Sequence, residues 1–185
     1  FGGTLTISSD ISLSSIGHSD CYVVKYNSEF NPIWAKSFGG IYDEFSTGIA
    51  VDHQNNIYIT GTHGSPFQVG SFSVPAPAGA CDAFLIKFNS AGEGQWLVAG
   101  TGNKGLVSRE IACDKSGNVF VTGYFYGSQT VHWGLFSHLT NADPVANSVF
   151  LVQIDSAGNA LSLTCSEDGG GGQGRDLICD IKGNI

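Results

Sequence analysis

A segment of eight residues near the start of the chain returns further along and decides the fold. Residues 20–27 read Asp-Cys-Tyr-Val-Val-Lys-Tyr-Asn, and residues 82–89 read Asp-Ala-Phe-Leu-Ile-Lys-Phe-Asn. A weaker third copy at residues 148–155 reads Ser-Val-Phe-Leu-Val-Gln-Ile-Asp. The copies begin 62 and then 66 residues apart. Self-similarity at such a period is the signature of a repeat protein.

A second block keeps the same register. Residues 48–52 read Gly-Ile-Ala-Val-Asp and are followed by residues 56–61, Asn-Ile-Tyr-Ile-Thr-Gly. The pair returns at residues 110–114 and 118–123, and its first half returns at residues 176–180. Asp, Asn and Gly between the halves favour tight hairpin turns, because they tolerate positive φ and bond their own backbone.

Each unit is predicted to form four short antiparallel strands. In the best-defined unit they are residues 48–52, 56–61, 84–89 and 95–100, ordered from the innermost strand outwards. Four-stranded units of about 60 residues are typical of β-propeller blades. We therefore predict an all-β propeller segment with almost no helix, and keep a small β-sandwich as the alternative.

The domain prediction is one incomplete propeller over residues 1–185, with roughly 2.5–3 repeats. The units are approximately residues 20–81, 82–147 and 148–185, the last of them truncated. Because the chain begins and ends within the pattern, we expect it to be a piece of a larger propeller. The remaining blades, from this chain or another, are therefore among its expected partners.

Composition excludes several classes of protein. Charged residues make up 13% of the chain, the net charge is −8 and the isoelectric point is about 4.8. An acidic chain with 8 Lys and Arg is poorly suited to nucleic acid or anionic membranes. The mean hydropathy is +0.07, and neither a membrane-spanning apolar run nor a basic, apolar secretory leader is expected.

The combined motifs resemble the SBBP-type bacterial beta-propeller repeat family. The matching features are residues 20–27, Trp34 with the following Phe38-Gly-Gly, and residues 48–61. Trp96 and the second copies of these blocks match again, although Phe-Gly-Gly is lost there. The resemblance implies a large secreted or surface-exposed bacterial protein, of the kind found in Bacteroidota. It supplies no catalytic residues to transfer.

No catalytic, metal or cofactor site is predicted. The five cysteines show no C-x-x-C spacing, and Cys113 and Cys179 are expected to be buried free thiols, with a disulfide as the alternative. Asp-rich turns such as residues 52–56 offer oxygens for calcium but lack the EF-hand pattern. The glycine-rich residues 169–174 lack the Lys-Ser/Thr of a phosphate loop.

The predicted binding surface follows from the strand order. The long connections, residues 62–80 and 124–147, should emerge on the same face as the loops between blades. Aromatic residues on scaffolded loops suit recognition of a protein or glycan. Packing between blades is the alternative role for them. The candidate binding residues are Phe67, Phe72, Tyr124, Tyr126, Trp133 and Phe136.

The sequence thus predicts a non-enzymatic extracellular or cell-surface module that binds a protein or a surface glycan, or acts as a scaffold for one. One alternative is a propeller hydrolase or lyase acting on polysaccharide, and the other is a purely architectural part of a fibre or cell-surface complex. The enzymatic alternative needs convergent charged side chains near the channel. Its candidates are Asp43, Glu44, Arg109, Glu110, Arg175 and Asp176.

Overall fold

The computed structural model describes residues 1–139, 146–166, 171–180 and 183–185, and this part of the chain is built from β-strands without a helix. None of the described residues forms a helix that could cross a bilayer. The strands are β1 (Thr4–Thr6), β2 (Ser12–Ser14), β3 (Cys21–Tyr26), β4 (Pro32–Phe38), β5 (Glu44–Val51), β6 (Ile57–His63), β7 (Phe67–Val69), β8 (Phe72–Val74), β9 (Asp82–Phe88), β10 (Gly94–Gly102), β11 (Leu106–Cys113), β12 (Val119–Tyr126), β13 (Thr130–Trp133), β14 (Phe136–Leu139), β15 (Asn147–Ile154) and β16 (Ala160–Cys165).

Two four-stranded antiparallel blades form the centre of the molecule. The strand orders are β5-β6-β9-β10 and β11-β12-β15-β16, and the pair β3-β4 is the outer half of a preceding blade. We call β3-β4 the first blade, β5-β6-β9-β10 the second and β11-β12-β15-β16 the third. The predicted strand order and the all-β propeller class are therefore confirmed. Alternate residues of β9 face opposite neighbours, and Ala83, Phe84, Leu85 and Ile86 are all fully buried. Burial on both faces explains why this strand is a continuous apolar run.

A hairpin from the long connection of the third blade, between β12 and β15, extends the second blade. Strand β13 pairs with β10, so the sheet order is β14-β13-β10-β9-β6-β5. At this junction Trp133 lies directly opposite Gly100. A Cβ atom at Gly100 would overlap the Trp133 indole, so the glycine makes room for the ring. The long connection of one unit is thus anchored on the outer strand of the previous one.

Successive blades are also tied together by a lysine and a tryptophan that share one backbone carbonyl. Lys87 Nζ and Trp96 Nε1 donate to the Ser156 carbonyl at 2.9 and 3.0 Å. The outer-strand tryptophan of one blade thus packs against the next blade. One junction earlier, the same arrangement joins Lys25, Trp34 and the Ser90 carbonyl.

The last segment departs from the prediction. Residues 176–180 were expected to form an innermost strand, but they pair with no strand among the described residues. Beyond this segment, the Asn184 backbone N–H donates to Asp180 Oδ1 at 2.9 Å.

Candidate functional site

Topology brings two kinds of loop to one end of the blades. Glu44 opens β5 opposite His63 at the end of β6, and His63 lies opposite Asp82 at the start of β9. The loop between blades and the long connection therefore meet here, and the Gly64 backbone N–H donates to the Asp43 carbonyl at 3.1 Å. We call this the loop end. The short hairpin turns lie at the opposite end.

Half of the aromatic residues predicted to bind are core residues instead. Phe67, Tyr124 and Trp133 are 5%, 6% and 1% exposed, so the expectation of exposed binding groups is wrong for these three. Phe72 is half-buried and also packs against the core. Tyr126 and Phe136 are exposed, as expected for binding residues.

Packing partners explain the burial. Phe67 is stacked on Phe38 of the preceding blade at 6.2 Å and lies edge-on to Phe84 at 5.4 Å. Trp133 fills the space over Gly100. The alternation of Val131 and Trp133 inward with His132 outward is a strand signal that could have placed the tryptophan in the core.

A concavity at the loop end forms a cleft between the second and third blades. Its volume is about 630 Å³, within the range of natural ligand sites. Exposed Tyr42 and Phe45 come from the second blade, and half-buried Arg109 comes from β11 of the third. The lining residues are Tyr42, Asp43, Phe45, Thr47, Thr62, His63, Gly64, Ala80, Cys81, Val107 and Arg109. We call this the loop-end cleft.

Arg109 is held in place by a tyrosine rather than by a carboxylate. Its Nη2 donates to the Tyr124 hydroxyl at 3.1 Å, and its guanidinium lies 5.2 Å from the centre of that ring. A hydrogen bond with Tyr124 raises the pKa of Tyr126 to about 12, so the Tyr126 phenol stays neutral at physiological pH. Among the described residues no ion pair neutralises Arg109. The cleft therefore carries a positioned positive charge in an acidic protein.

A buried polar row lies beside the cleft, on the strands of the second blade. Glu44, His63 and Asp82 are 2%, 1% and 1% exposed. Glu44 accepts from the Gly40 backbone N–H and the Ser65 hydroxyl, both at 2.7 Å. Burial lowers the pKa of His63, against the raising effects of the Ser65 carbonyl, Asp82 and Glu44. The hydrogen bonds of Glu44 thus hold the loop between blades, at Gly40, and the long connection, at Ser65, at this end of the sheet.

The next blade has an apolar version of this row. The register places Leu106, Phe125 and Ser148 where the second blade has Glu44, His63 and Asp82. The fold therefore does not require the polar side chains. This difference between the two blades can be read from the sequence alone, by aligning the two copies of the repeat.

The charged residues of the enzymatic alternative are spread over separate places. Asp43 and Arg109 line the loop-end cleft, whereas Glu44 is buried and fully engaged. Glu110 lies in a different concavity, beside Gly48 and Ile49. Arg175 and Asp176 are exposed in the unpaired last segment. A second acidic pair in the sequence, residues 167–168, lies outside the described residues.

The Asp-rich turns use their oxygens within the turns themselves. Asp114 Oδ1 accepts from the backbone N–H groups of Ser116 and Asn118 at 2.8 and 2.9 Å, and Oδ2 accepts from the Asn118 side chain. Within the described ranges no three His, Cys, Asp or Glu residues are grouped as metal ligands would be. Most of the glycine-rich stretch can be traced, but residues 169–170 lie outside the described part.

All five cysteines carry free thiols. Burial raises the pKa of Cys21 to about 12 and that of Cys165 to about 11. Cys113 and Cys179 are half-buried rather than buried as expected, because the inner strand and the last segment leave them partly open. Burial also raises the pKa of Cys81 in the cleft, so this thiol is a weak nucleophile at neutral pH.

The fold and its repeated junctions define a β-propeller repeat protein. The model of the beta-propeller repeat family, SBBP, matches residues 33–68, which run from β4 into β7. The chain therefore carries a repeat of this family. It is also similar to an uncharacterized WD repeat-containing protein of Acanthamoeba polyphaga mimivirus, with 32% identity over 189 residues. That match covers 92% of this chain but spans only 14% of the length of the relative.

Proposed function

We propose that this chain is a non-enzymatic binding module that presents the loop-end cleft to a partner. The observation that carries the proposal is the cleft itself, where exposed Tyr42 and Phe45 line the same concavity as Arg109, which has no ion-pair partner among the described residues. Tyrosine, phenylalanine and arginine are the side chains enriched at recognition surfaces. Rigid blades on either side hold the cleft open, so little ordering is needed on binding.

The expected partner is a protein or a surface glycan, and the wider role is within a larger extracellular or cell-surface protein. The relative's printed name, a WD repeat-containing protein, supports a repeat scaffold used for interaction. The free cysteines are compatible with an oxidising exterior, because burial raises their pKa and slows oxidation of the thiols.

Binding assays with matched variants test the proposal. Phe45→Ala removes an exposed ring from the cleft, and Phe136→Ala removes an exposed ring from the β13-β14 hairpin. Both variants should fold, and only Phe45→Ala should weaken binding of ligands found by screening glycan arrays and peptide libraries. Equal binding by Phe45→Ala and the unmodified chain would place recognition elsewhere. A complete absence of ligands would favour the architectural alternative.

A further inference from the structure

Arginine is confined to one position of the repeat. The chain has two arginines, Arg109 and Arg175, which lie 66 residues apart. The same step separates Asp114 from Asp180 in the aligned blocks, and the second blade has Thr47 at this position. In a chain that is only 13% charged, with a net charge of −8, this placement is selective.

The guanidinium of Arg109 is held in place but keeps hydrogen-bond donors available for a ligand. Among the described residues, one of its five N–H donors is paired, on Nη2, with the Tyr124 hydroxyl. The ring of Tyr124 supports the plane of the group by a cation–π contact. Such a fixed, planar fork is suited to accept a carboxylate through two parallel hydrogen bonds.

The cleft also presents two exposed aromatic rings. Tyr42 is 55% exposed and Phe45 is 58% exposed. Val107 and Ala80 complete the apolar lining. An aliphatic residue beside two aromatic rings suits an apolar side chain of a peptide better than a hydroxyl-rich sugar. Asp43, exposed on the same lining, disfavours a second negative charge on that side.

We propose that the loop-end cleft binds a peptide segment of a partner protein in which one acidic side chain engages Arg109 and an adjacent apolar side chain packs on Phe45 and Tyr42. The inference rests on the proposed binding function and names the chemistry of its ligand. Charge complementarity selects the acidic residue, and the exposed rings select its apolar neighbour.

The test is a selection of a phage-displayed random peptide library on the chain. The expected result is enrichment of peptides that carry Asp or Glu next to a large apolar residue. Synthetic versions of the selected peptides, and versions with the acid replaced by its amide, are then compared by isothermal titration calorimetry. Loss of a charge-assisted hydrogen bond predicts that the amide versions bind roughly 10-fold more weakly or worse.

Three variants of the chain locate the interaction. Arg109→Gln should weaken binding by a similar factor and abolish the preference for acid over amide. Arg175→Gln makes the same change in net charge outside the cleft and should bind like the unmodified chain. Asp43→Asn should bind acidic peptides as well or more tightly. Circular dichroism and thermal melting of each variant report whether it is folded.

The outcomes separate this inference from the proposed function. Enrichment of neutral peptides, or binding of uronic acid oligosaccharides in preference to any peptide, overturns the acidic-peptide inference. If such a ligand is still lost in Phe45→Ala, the proposed function stands. A selection that yields no peptide overturns the inference. Arg109→Gln and Arg175→Gln with equal effects would also overturn it, because net charge alone would then explain the binding.

Discussion

The burial of Trp133 makes a direct prediction about stability. Its indole is 1% exposed and packs against Phe150 with ring centres 6.1 Å apart. Truncation of a buried tryptophan to alanine costs about 3–5 kcal/mol. Trp133 Nε1 has no hydrogen-bond partner among the described residues, so no hydrogen bond to them is lost and we expect about 3 kcal/mol. The measurement is urea unfolding of the chain, followed by circular dichroism.

A matched control lies on the same hairpin. Phe136 is directly opposite Trp133 in the β13-β14 pairing but is 38% exposed. Phe136→Ala should therefore cost about 1 kcal/mol or less. If Trp133→Ala also cost less than about 1 kcal/mol, the indole would not be a core group and the anchoring of this hairpin on the second blade would be wrong.

Gly100 supplies the second half of this test. Gly100→Ala should cost about 1–3 kcal/mol, because the new methyl group would overlap the Trp133 indole. In the Trp133→Ala background the methyl group meets empty space, so the cost should largely disappear. The two substitutions should therefore be strongly non-additive. Effects that add to within about 0.5 kcal/mol would contradict the packing described here.

Three further predictions concern the junction, the polar row and the turns. In urea unfolding, Trp96→Phe should lower the free energy of unfolding by about 1 kcal/mol more than Trp133→Phe does. The reason is that, of these two indoles, the Trp96 indole donates a hydrogen bond, to the Ser156 carbonyl. Equal costs would argue against this inter-blade hydrogen bond. Burial holds the pKa of His63 below the unfolded value of 6.5, so the unfolded chain binds more protons and the free energy of unfolding should fall as the pH drops below 6.5. His63→Phe should flatten this part of the pH profile of stability. An unchanged profile would contradict the burial of His63. Hydrogen bonds from the Asn159 side chain and backbone lower the pKa of Asp155. The stability that Asp155 contributes is therefore present above pH 3.8 and is lost as the pH falls through the lower folded pKa. Asp155→Asn should remove this loss of stability at acid pH, measured as the urea midpoint against pH.

The sequence predicted the strands and turns well because both are local. Residues 82–89 run continuously apolar, as is typical of a strand covered on both faces, and their copies alternate in burial as half-covered strands do. The Asp and Asn residues at the turns bond their own backbone, so their geometry does not depend on distant residues. These features recur in each unit, and repetition made them visible without a structure.

The attachment of β13 to β10 could not be predicted in the same way. It depends on Gly100 meeting Trp133 across the two units, whereas the preceding unit has Phe38 in the place of Gly100. The long connections differ in length and carry no common register. Exposure of Trp133 and Phe67 was therefore inferred from loop position, and the non-local pairing buried both.

The cleft was only partly foreseen. The strand order predicted that the long connections and inter-blade loops share one end, and the structure brings them together there. Arg109 stood among the candidates for an enzyme, but the sequence did not show its contact with Tyr124. Tyr42 and Phe45 were not singled out, because they belong to the short loop and first strand between blades rather than to a long connection.

Chemical-shift mapping on the isotopically labelled chain tests the central claim most directly. The tightest peptide from the library selection would be titrated into the chain and the amide shifts followed by nuclear magnetic resonance. The account predicts that the largest shifts lie at Phe45, Cys81 and Arg109, around the loop-end cleft. Shifts centred on the hairpin turns at the opposite end, near Asp52 and Asp114, would contradict the assignment of the cleft as the binding site.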